Sequence, residues 1–365
     1  MRIKRFFVIS CIATLVTFAL AGCGKTVSFR DIPEEYVKEM EYHDGFTILQ
    51  LTDIHWNGST QIGDDTYGSR GYLKKVIDEA KSHAGKIDLI EITGDTFMLT
   101  NKRAVTEFID FMDEMDVPYA IGWGNHDREC TYNPNWISKQ FLEAPNSLYT
   151  EVDNDDVHER ANYVIELKSG SEVAWQIFNL DSGASFRNGA GDLGLTYDYL
   201  RDDQFEWMSY MHERTGNNPP SLCYYHIVQD DQKKVCDAIA NGELDIKFSF
   251  FKLEGLAPSD YCVSTEDIFL QNNVKGAFAG HDHSNDFTYT LPSGIVYGLG
   301  VKSGIELYSG HVTAKDIKKA GLNCEEFDLL GASLVTLQDT EGNFKLEHLY
   351  LNERDEGDFV MWVEY

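Results

Sequence analysis

Apolar residues along this chain fall into short continuous runs separated by helical stripes, and several runs end alike. "FTILQLT" (46–52) leads into Asp53, "KIDLIEITGD" (86–95) closes on Gly94-Asp95, and "VPYAIGWGNHD" (117–127) closes on Asn125-His126-Asp127. Between them Leu73, Val76, Ile77 and Ala80, and then Val105, Phe108, Ile109 and Met112, recur at i, i+3, i+4 and i+7. That spacing is the apolar stripe of an amphipathic helix. Strand, helix, strand, helix, strand predicts a mainly parallel sheet with right-handed crossovers. In such a sheet ligands bind beyond the carboxyl ends of the strands, where Asp53, Asp95 and Asn125 fall.

The second half repeats the pattern with other strands. "NYVIEL" (162–167) and "EVAWQIFNLD" (172–181) read as a pair turning at Gly170, followed by a helix with Leu200, Gln204, Trp207, Met208 and Met211 on one face. "SLCYYH" (221–226) is an apolar run ending in His226, and "VKGAFAGHDHSND" (274–286) runs into Gly280-His281-Asp282-His283. "SGIVYGLG" is a further strand, and "GASLVTLQDTEGNFKLEHLYL" a hairpin around Glu341-Gly342-Asn343. With no fixed-period repeat and no low-complexity tract, one domain of two packed sheets is the economical reading.

Composition changes this picture mainly at the N-terminus. At 365 residues and 42% apolar the chain can bury a large core. Its 60 acids against 31 bases argue against a nucleic-acid face, which needs clustered Lys and Arg. "MRIKRFFVISCIATLVTFALAGC" has the basic, apolar and small-residue order of a secretory signal. Its "LAGC" resembles the lipobox of bacterial lipoproteins. The expectation is a leader over 1–22, a diacylated Cys23 and polar tether over 23–44, and a folded domain over 45–365, held on the bacterial membrane outside the cytoplasm. Cys130, Cys223, Cys236, Cys262 and Cys324 form no CxxC pair, and their odd number leaves at least one thiol free.

The polar strand ends, in chain order, are "TDIHW", "TGDT", "GNHD", "YYH" and "AGHDHSND". Singly, most fit a turn or a capped strand. His281 and His283 are different, because alternate residues of an extended segment face the same way and converge. Five such blocks on one sheet edge have the mixed imidazole and carboxylate character of a metal site.

These blocks, in this order, resemble the five signature motifs of the calcineurin-like metallophosphoesterases, over about Phe46 to Leu337. "GHDHSND" and "GVKSGIELYSGH…GASLVTL" look most like the short purple-acid-phosphatase-like group. The resemblance implies an α/β fold, a four-layer αββα sandwich with two divalent metal ions at the sheet edge. It assigns one ion to Asp53, His55, Asp95 and His283, and the other to Asp95, Asn125, His226 and His281, with Asp95 bridging. Two such ions about 3.5–4 Å apart share a hydroxide that attacks phosphorus in line. Asp127 would hold the ring of His126, leaving that imidazole to face the substrate. His226 is preferred to His158, in an acidic loop, to His212, one step off its helix's apolar face and expected to meet water, and to His311, outside the motif order. Arg128 could touch phosphate or be structurally paired, and Asn285 and Asp286 could line the pocket or form a turn.

The sequence departs from true purple acid phosphatases, whose motifs resemble Asp-x-Gly and Gly-Asp-x-x-Tyr and whose colour comes from an iron-bound tyrosinate. Here Asp53-x-His55 adds an imidazole, Met98 stands where the tyrosine would, and Tyr225 should point away from His226. The ions expected are Mn²⁺, Fe²⁺ or Zn²⁺. The expected activity is phosphoric ester hydrolysis, monoester rather than diester, on a small phosphoester or a phosphoprotein. The alternative is an inactive surface lipoprotein that binds a phosphorylated partner.

Overall fold

Strands buried on both faces read as mainly apolar runs, and three of those runs lie side by side as one half of a sheet. The computed structural model describes residues 28–56, 69–129, 133–186, 196–241, 248–249, 251–352 and 359–365. In the first sheet Phe359–Glu364 (β18), Phe344–Asn352 (β17), Gly331–Leu337 (β16), Phe46–Leu51 (β2), Leu89–Thr93 (β3) and Tyr119–Gly122 (β4) lie side by side in that order. β2, β3 and β4 are parallel, and every residue in them is buried. β16 and β17 form the expected antiparallel hairpin, and β16 pairs antiparallel with β2.

The second sheet runs Val37–Glu41 (β1), Tyr163–Ser169 (β5), Glu172–Asn179 (β6), Ser221–Tyr224 (β9), Val274–Ala279 (β11), Val296–Leu299 (β13), Thr288–Thr290 (β12) and Phe248–Ser249 (β10). β6, β9, β11 and β13 are parallel. Among the described residues, two short ladders complete the strands, Ser185–Phe186 (β7) with Thr196–Tyr197 (β8) and His311–Val312 (β14) with Phe327–Asp328 (β15).

Period-two alternation divides the second sheet between two cores. Tyr163, Ile165, Trp175, Ile177, Leu222 and Tyr224 face the first sheet, together with the buried stripes of Ser69–Ala84 (α1), Lys102–Glu114 (α2) and Pro134–Glu143 (α3) in one continuous cluster. Val164, Phe178, Cys223 and Tyr225 face the other way, onto Asp202–Glu213 (α4), Asp230–Ala240 (α5) and Glu266–Gln271 (α6). The short helix Ala314–Ala320 (α7) packs with β14 and β15 in a satellite core. The molecule is therefore a mixed α/β sandwich, two large mixed sheets flanked by helices.

Helix boundaries follow local chemistry. The Asn101 side chain accepts the Ala104 N–H at the start of α2, whose Val105, Phe108, Ile109 and Met112 are all buried. Each contributes about 1.5–3 kcal/mol by leaving water. Polar links cross between the sheets. Gln50 Nε2 donates to the carbonyl of Ala279 at 3.2 Å, and the Tyr163 hydroxyl exchanges hydrogen bonds with both backbone groups of Ile121.

Two expectations are corrected. The tether does not extend to residue 44, because Phe29 and Tyr36 are already buried in the second core and β1 pairs in parallel with β5. Two aromatic anchors in an otherwise polar stretch carried too little periodicity to reveal this. His212 does not meet water. It is buried, its ring nitrogens facing Gln176 Oε1 and Asn218 Oδ1 at 2.9 Å each, so polar partners replace solvent. The leader, Cys23 and Cys130 lie outside the described residues, while Cys223, Cys236, Cys262 and Cys324 are free thiols.

Candidate metal centre

Where β2, β3, β9 and β11 end, the backbone turns sharply enough to aim side chains back over the sheet edges. Asp53 (φ 51°), His55 (φ 51°), Asp95 (φ 48°) and His281 (φ 78°) all sit in the left-handed region that non-glycine residues avoid. Strain of this kind persists where surrounding structure over-determines it. Here the first two ligand loops hold each other. Asp53 N–H donates to the Gly94 carbonyl, His55 N–H to that of Asp95, and Trp56 N–H to that of Thr96. Gly94 and Gly124 allow close approach, because a Cβ on Gly94 would overlap the His226 ring and one on Gly124 would overlap Asp95.

The seven residues expected as ligands come together. Donor atoms of Asp53, His55, Asp95 and His283 lie within 4.8 Å of one another, as do those of Asp95, His226 and His281, and Asp95 belongs to both groups. Asn125 joins the second group, with its Oδ1 3.2 Å from His226 Nε2. All seven are buried. Backbone donors fix the carboxylates, since His281 N–H points at both oxygens of Asp53 and His126 N–H donates to Asp95 Oδ1 at 2.8 Å.

The chemistry of this donor set fits two cations. His55 Nε2 and His283 Nε2 are 3.0 Å apart, about the spacing of two nitrogens each some 2.1 Å from one ion. His226 Nδ1 faces the Thr93 carbonyl at 2.9 Å, which assigns its proton to that nitrogen. Its Nε2 then confronts two acceptors, Asn125 Oδ1 and Asp95 Oδ2 at 3.3 Å, an arrangement that needs a proton or a cation between them. Burial would lower the His226 pKa, but the charges of Asp95 and Asp53 override it and push it up to about 10. A metal ion would take that proton's place. His281 Nε2 is buried with no hydrogen-bond partner among the described residues. Burial pulls His55 down to about 3 and His281 down to about 4, so both imidazoles are neutral donors at physiological pH. Burial disfavours charge on Asp53 and Asp95, yet nearby imidazoles hold both below the usual carboxylate range.

The expected role of Asp127 is corrected. Its two oxygens accept the backbone N–H groups of Phe97 and Gly124, each at 2.8 Å, so it braces the ligand loops instead of orienting His126. Burial, with the charge of Asp95, raises it to about 7. The carboxylate on His126 is Glu129, whose Oε2 lies 2.7 Å from His126 Nδ1. The reason is local. Residues 126–129 form a 3-10 helix, whose three-residue turn stacks position i over i+3 instead of i+1. His126 is partly exposed beside the centre, its ring 5.3 Å from that of His55.

Arg128 is structurally paired, reaching Glu159 and Asp181. Asn285 and Asp286 are structural as well, accepting backbone N–H groups of Leu253, Glu254 and Phe251. The Tyr225 hydroxyl donates to Gln232 Oε1 within the second core, away from the ligands. Sequence reasoning missed three neighbours of the centre. Lys302 is buried and donates to the Asp53 carbonyl at 2.7 Å, burial lowering its pKa to about 8 against the pull of Asp53 and Asp95. Tyr197 and Tyr308 pack on His281 and His283. Only "GVKSGIELYSGH" gave a signal, through its likeness to the purple-acid-phosphatase-like group, and it covers Lys302 and Tyr308 but not Tyr197.

Two mixed sheets thus carry paired His and carboxylate clusters at a shared edge. A solved dimetal phosphatase from Danio rerio superposes with a TM-score of 0.50 at 12% identity, covering 88% of this chain and all of that one. The sequence profile of the calcineurin-like phosphoesterases matches residues 46–285, and the chain belongs to that family. Among curated relatives, "Probable inactive purple acid phosphatase 14" of Arabidopsis thaliana is 26% identical, covering 79% of this chain and 78% of its own length. "Phosphatase DCR2" of Saccharomyces cerevisiae is 22% identical, and the match spans 72% of this chain but only 48% of the yeast protein.

Proposed function

We propose that the protein is a metal-dependent phosphoric ester hydrolase that prefers monoesters to diesters. The observation that carries this reading is the overlap of two His and carboxylate groups on one residue, Asp95. Asp53, His55, Asp95 and His283 would hold one divalent ion, and Asp95, Asn125, His226 and His281 the other. Bound there, the ions would supply Lewis acidity and lower the pKa of water. The remaining work belongs to the protein's own groups. Neutral His55 and His281 and the amide oxygen of Asn125 add donors without adding negative charge, which keeps the centre attractive to an anionic ester. Glu129 on Nδ1 orients His126 and leaves Nε2 to protonate the departing oxygen.

Mn²⁺, Fe²⁺ or Zn²⁺ suits these ligands. Met98 in place of a tyrosine, and Tyr225 turned into the core, speak against an iron-bound tyrosinate. The monoester preference rests on the relatives named as phosphatases. A small phosphoester or a phosphoprotein would be the substrate, and the acidic surface disfavours nucleic acid. The leader pattern further supports export and a lipid anchor on Cys23, outside the cytoplasm. Cys23→Ser should then release the processed protein from membranes, and retention would point to another anchor.

The deciding experiment is hydrolysis of a chromogenic phosphomonoester and phosphodiester, after chelation and after adding each metal. Metal-dependent release, faster for the monoester, is expected. A second reading has one observation behind it, the word "inactive" in the names of plant relatives. On that reading the protein binds a phosphorylated partner, and a metal-loaded protein that binds phosphate esters without releasing phosphate would establish it.

A further inference from the structure

The segment Val301–Gly310 is fastened to the first ligand loop and then leaves it. Ser303 N–H donates to the Thr52 carbonyl at 2.8 Å, Lys302 Nζ caps the Asp53 carbonyl, and Gly304 fits so tightly against Ile54 that any Cβ would overlap its carbonyl. Past this anchor the chain turns outward with Ile305, Leu307 and Tyr308 exposed. Tyr308 is 59% exposed, yet its ring centroid lies 4.7 Å from that of His283. On the other flank Tyr197, in β8, sets its ring edge-on to His281 at 4.4 Å. The two tyrosines thus stand over one ligand imidazole from each metal group.

Acidic side chains border these rings. Glu254 accepts the Ser284 N–H beside His283, and Glu129 sits on His126. Among the described residues, Lys302 donates to a buried carbonyl, Lys252 to the Glu254 carbonyl, and Arg128 reaches Glu159 and Asp181. A large exposed aromatic face is useful where something flat covers it. Beyond the centre itself, whose ions would draw the phosphoryl group, Glu129 and Glu254 at the rim oppose a second anionic group on a substrate.

We propose that, on the hydrolase reading above, the site selects phosphomonoesters whose organic group is an uncharged aromatic ring seated against Tyr197 and Tyr308, and disfavours organic groups with a further negative charge. Two contacts of this kind place the ring next to the reacting phosphoryl group. The phenol oxygens are not required for this, so phenylalanine should substitute for tyrosine.

The test compares 2-phenylethyl phosphate, ethyl phosphate and phosphoglycolate on the metal-loaded full chain. All three are esters of primary alcohols, so the first two differ mainly in the ring. The expected order of kcat/KM is phenylethyl, ethyl, phosphoglycolate, with about a hundredfold between the first two, as two aromatic contacts of about tenfold each supply. Tyr308→Ala and Tyr197→Ala should each reduce the phenylethyl-to-ethyl ratio about tenfold, through KM, while Tyr308→Phe preserves it. Calorimetry with 2-phenylethylphosphonate and ethylphosphonate gives a second readout that needs no turnover. A ratio unchanged in both alanine variants, or phosphoglycolate as the best substrate, overturns the inference. Absence of hydrolysis with every ester and metal brings down the hydrolase reading instead. In that case tighter binding of the phenylethylphosphonate, lost in Tyr308→Ala, still upholds the ring site, and equal binding of both phosphonates overturns it.

Discussion

At the scale of single residues, Asp95 carries more than any other. Its carboxylate serves both ligand groups and also accepts the His126 N–H. Asp95→Asn removes one charge from two sites at once. We expect bound metal to fall from two ions to fewer than one per chain and turnover to fall at least about 10²-fold. Two retained ions with near-normal turnover, by elemental analysis and phosphate release, would exclude the bridging role. His126 and its neighbour should behave differently from each other. His126→Ala is expected to lower kcat roughly 10²-fold with both metals kept, as for a proton donor. Asp127→Ala leaves two buried N–H groups without an acceptor, at a cost of about 1–3 kcal/mol for each group left unsatisfied. Its main effect should be a lower melting temperature. If it instead reproduced the His126→Ala profile at unchanged stability, the bracing role would be wrong.

At the scale of elements, the site depends on loops that leave strands in conformations most residues avoid. The β4 loop passes so close to β3 that Gly124 has no room for a side chain against Asp95. Gly124→Ala forces either the loop or the carboxylate to move, while the sheet beneath stays paired. The expected variant is folded by circular dichroism, with metal content and activity both reduced. Full metal occupancy would mean that the loop relaxes at little cost. The strands themselves were legible, because β2, β3, β4, β9 and β11 are compact, mainly apolar runs with polar stops. The 3-10 turn at 126–129 was not, since nothing in "HDRE" distinguishes it from an extended end. That turn moved the partner of His126 from Asp127 to Glu129.

At the scale of the molecule, the two sheets enclose a few polar groups far from solvent. Glu91, on β3, is fully buried with only a 3.4 Å contact from Asn179 Nδ2, and burial lifts its pKa to about 8. The folded state therefore keeps a proton that the unfolded chain loses near the ordinary glutamate range. Stability from this group is full below that range and declines as pH rises towards 8, by up to about 1.4 kcal/mol per unit, then levels off. Glu91→Gln, neutral at all pH, should flatten that decline in urea midpoints measured from pH 5 to 8. An unchanged slope would show that Glu91 is already ionised in the native protein.

What the sequence determined by itself is whatever repeats locally. Period and run length set the strands, the stripes set α1, α2 and α4, and the polar stops marked the His and carboxylate residues brought together at the sheet edge. What only the tertiary structure decided depends on partners distant in the chain. His212 is buried because Gln176, 36 residues away, meets its ring. Phe29 and Tyr36 join the core because β1 pairs with β5. Tyr308 reaches His283 because the segment before it is pinned to Thr52 and Asp53, some 250 residues earlier. Periodicity reports which face a residue shares with its neighbours, and packing alone says what that face meets.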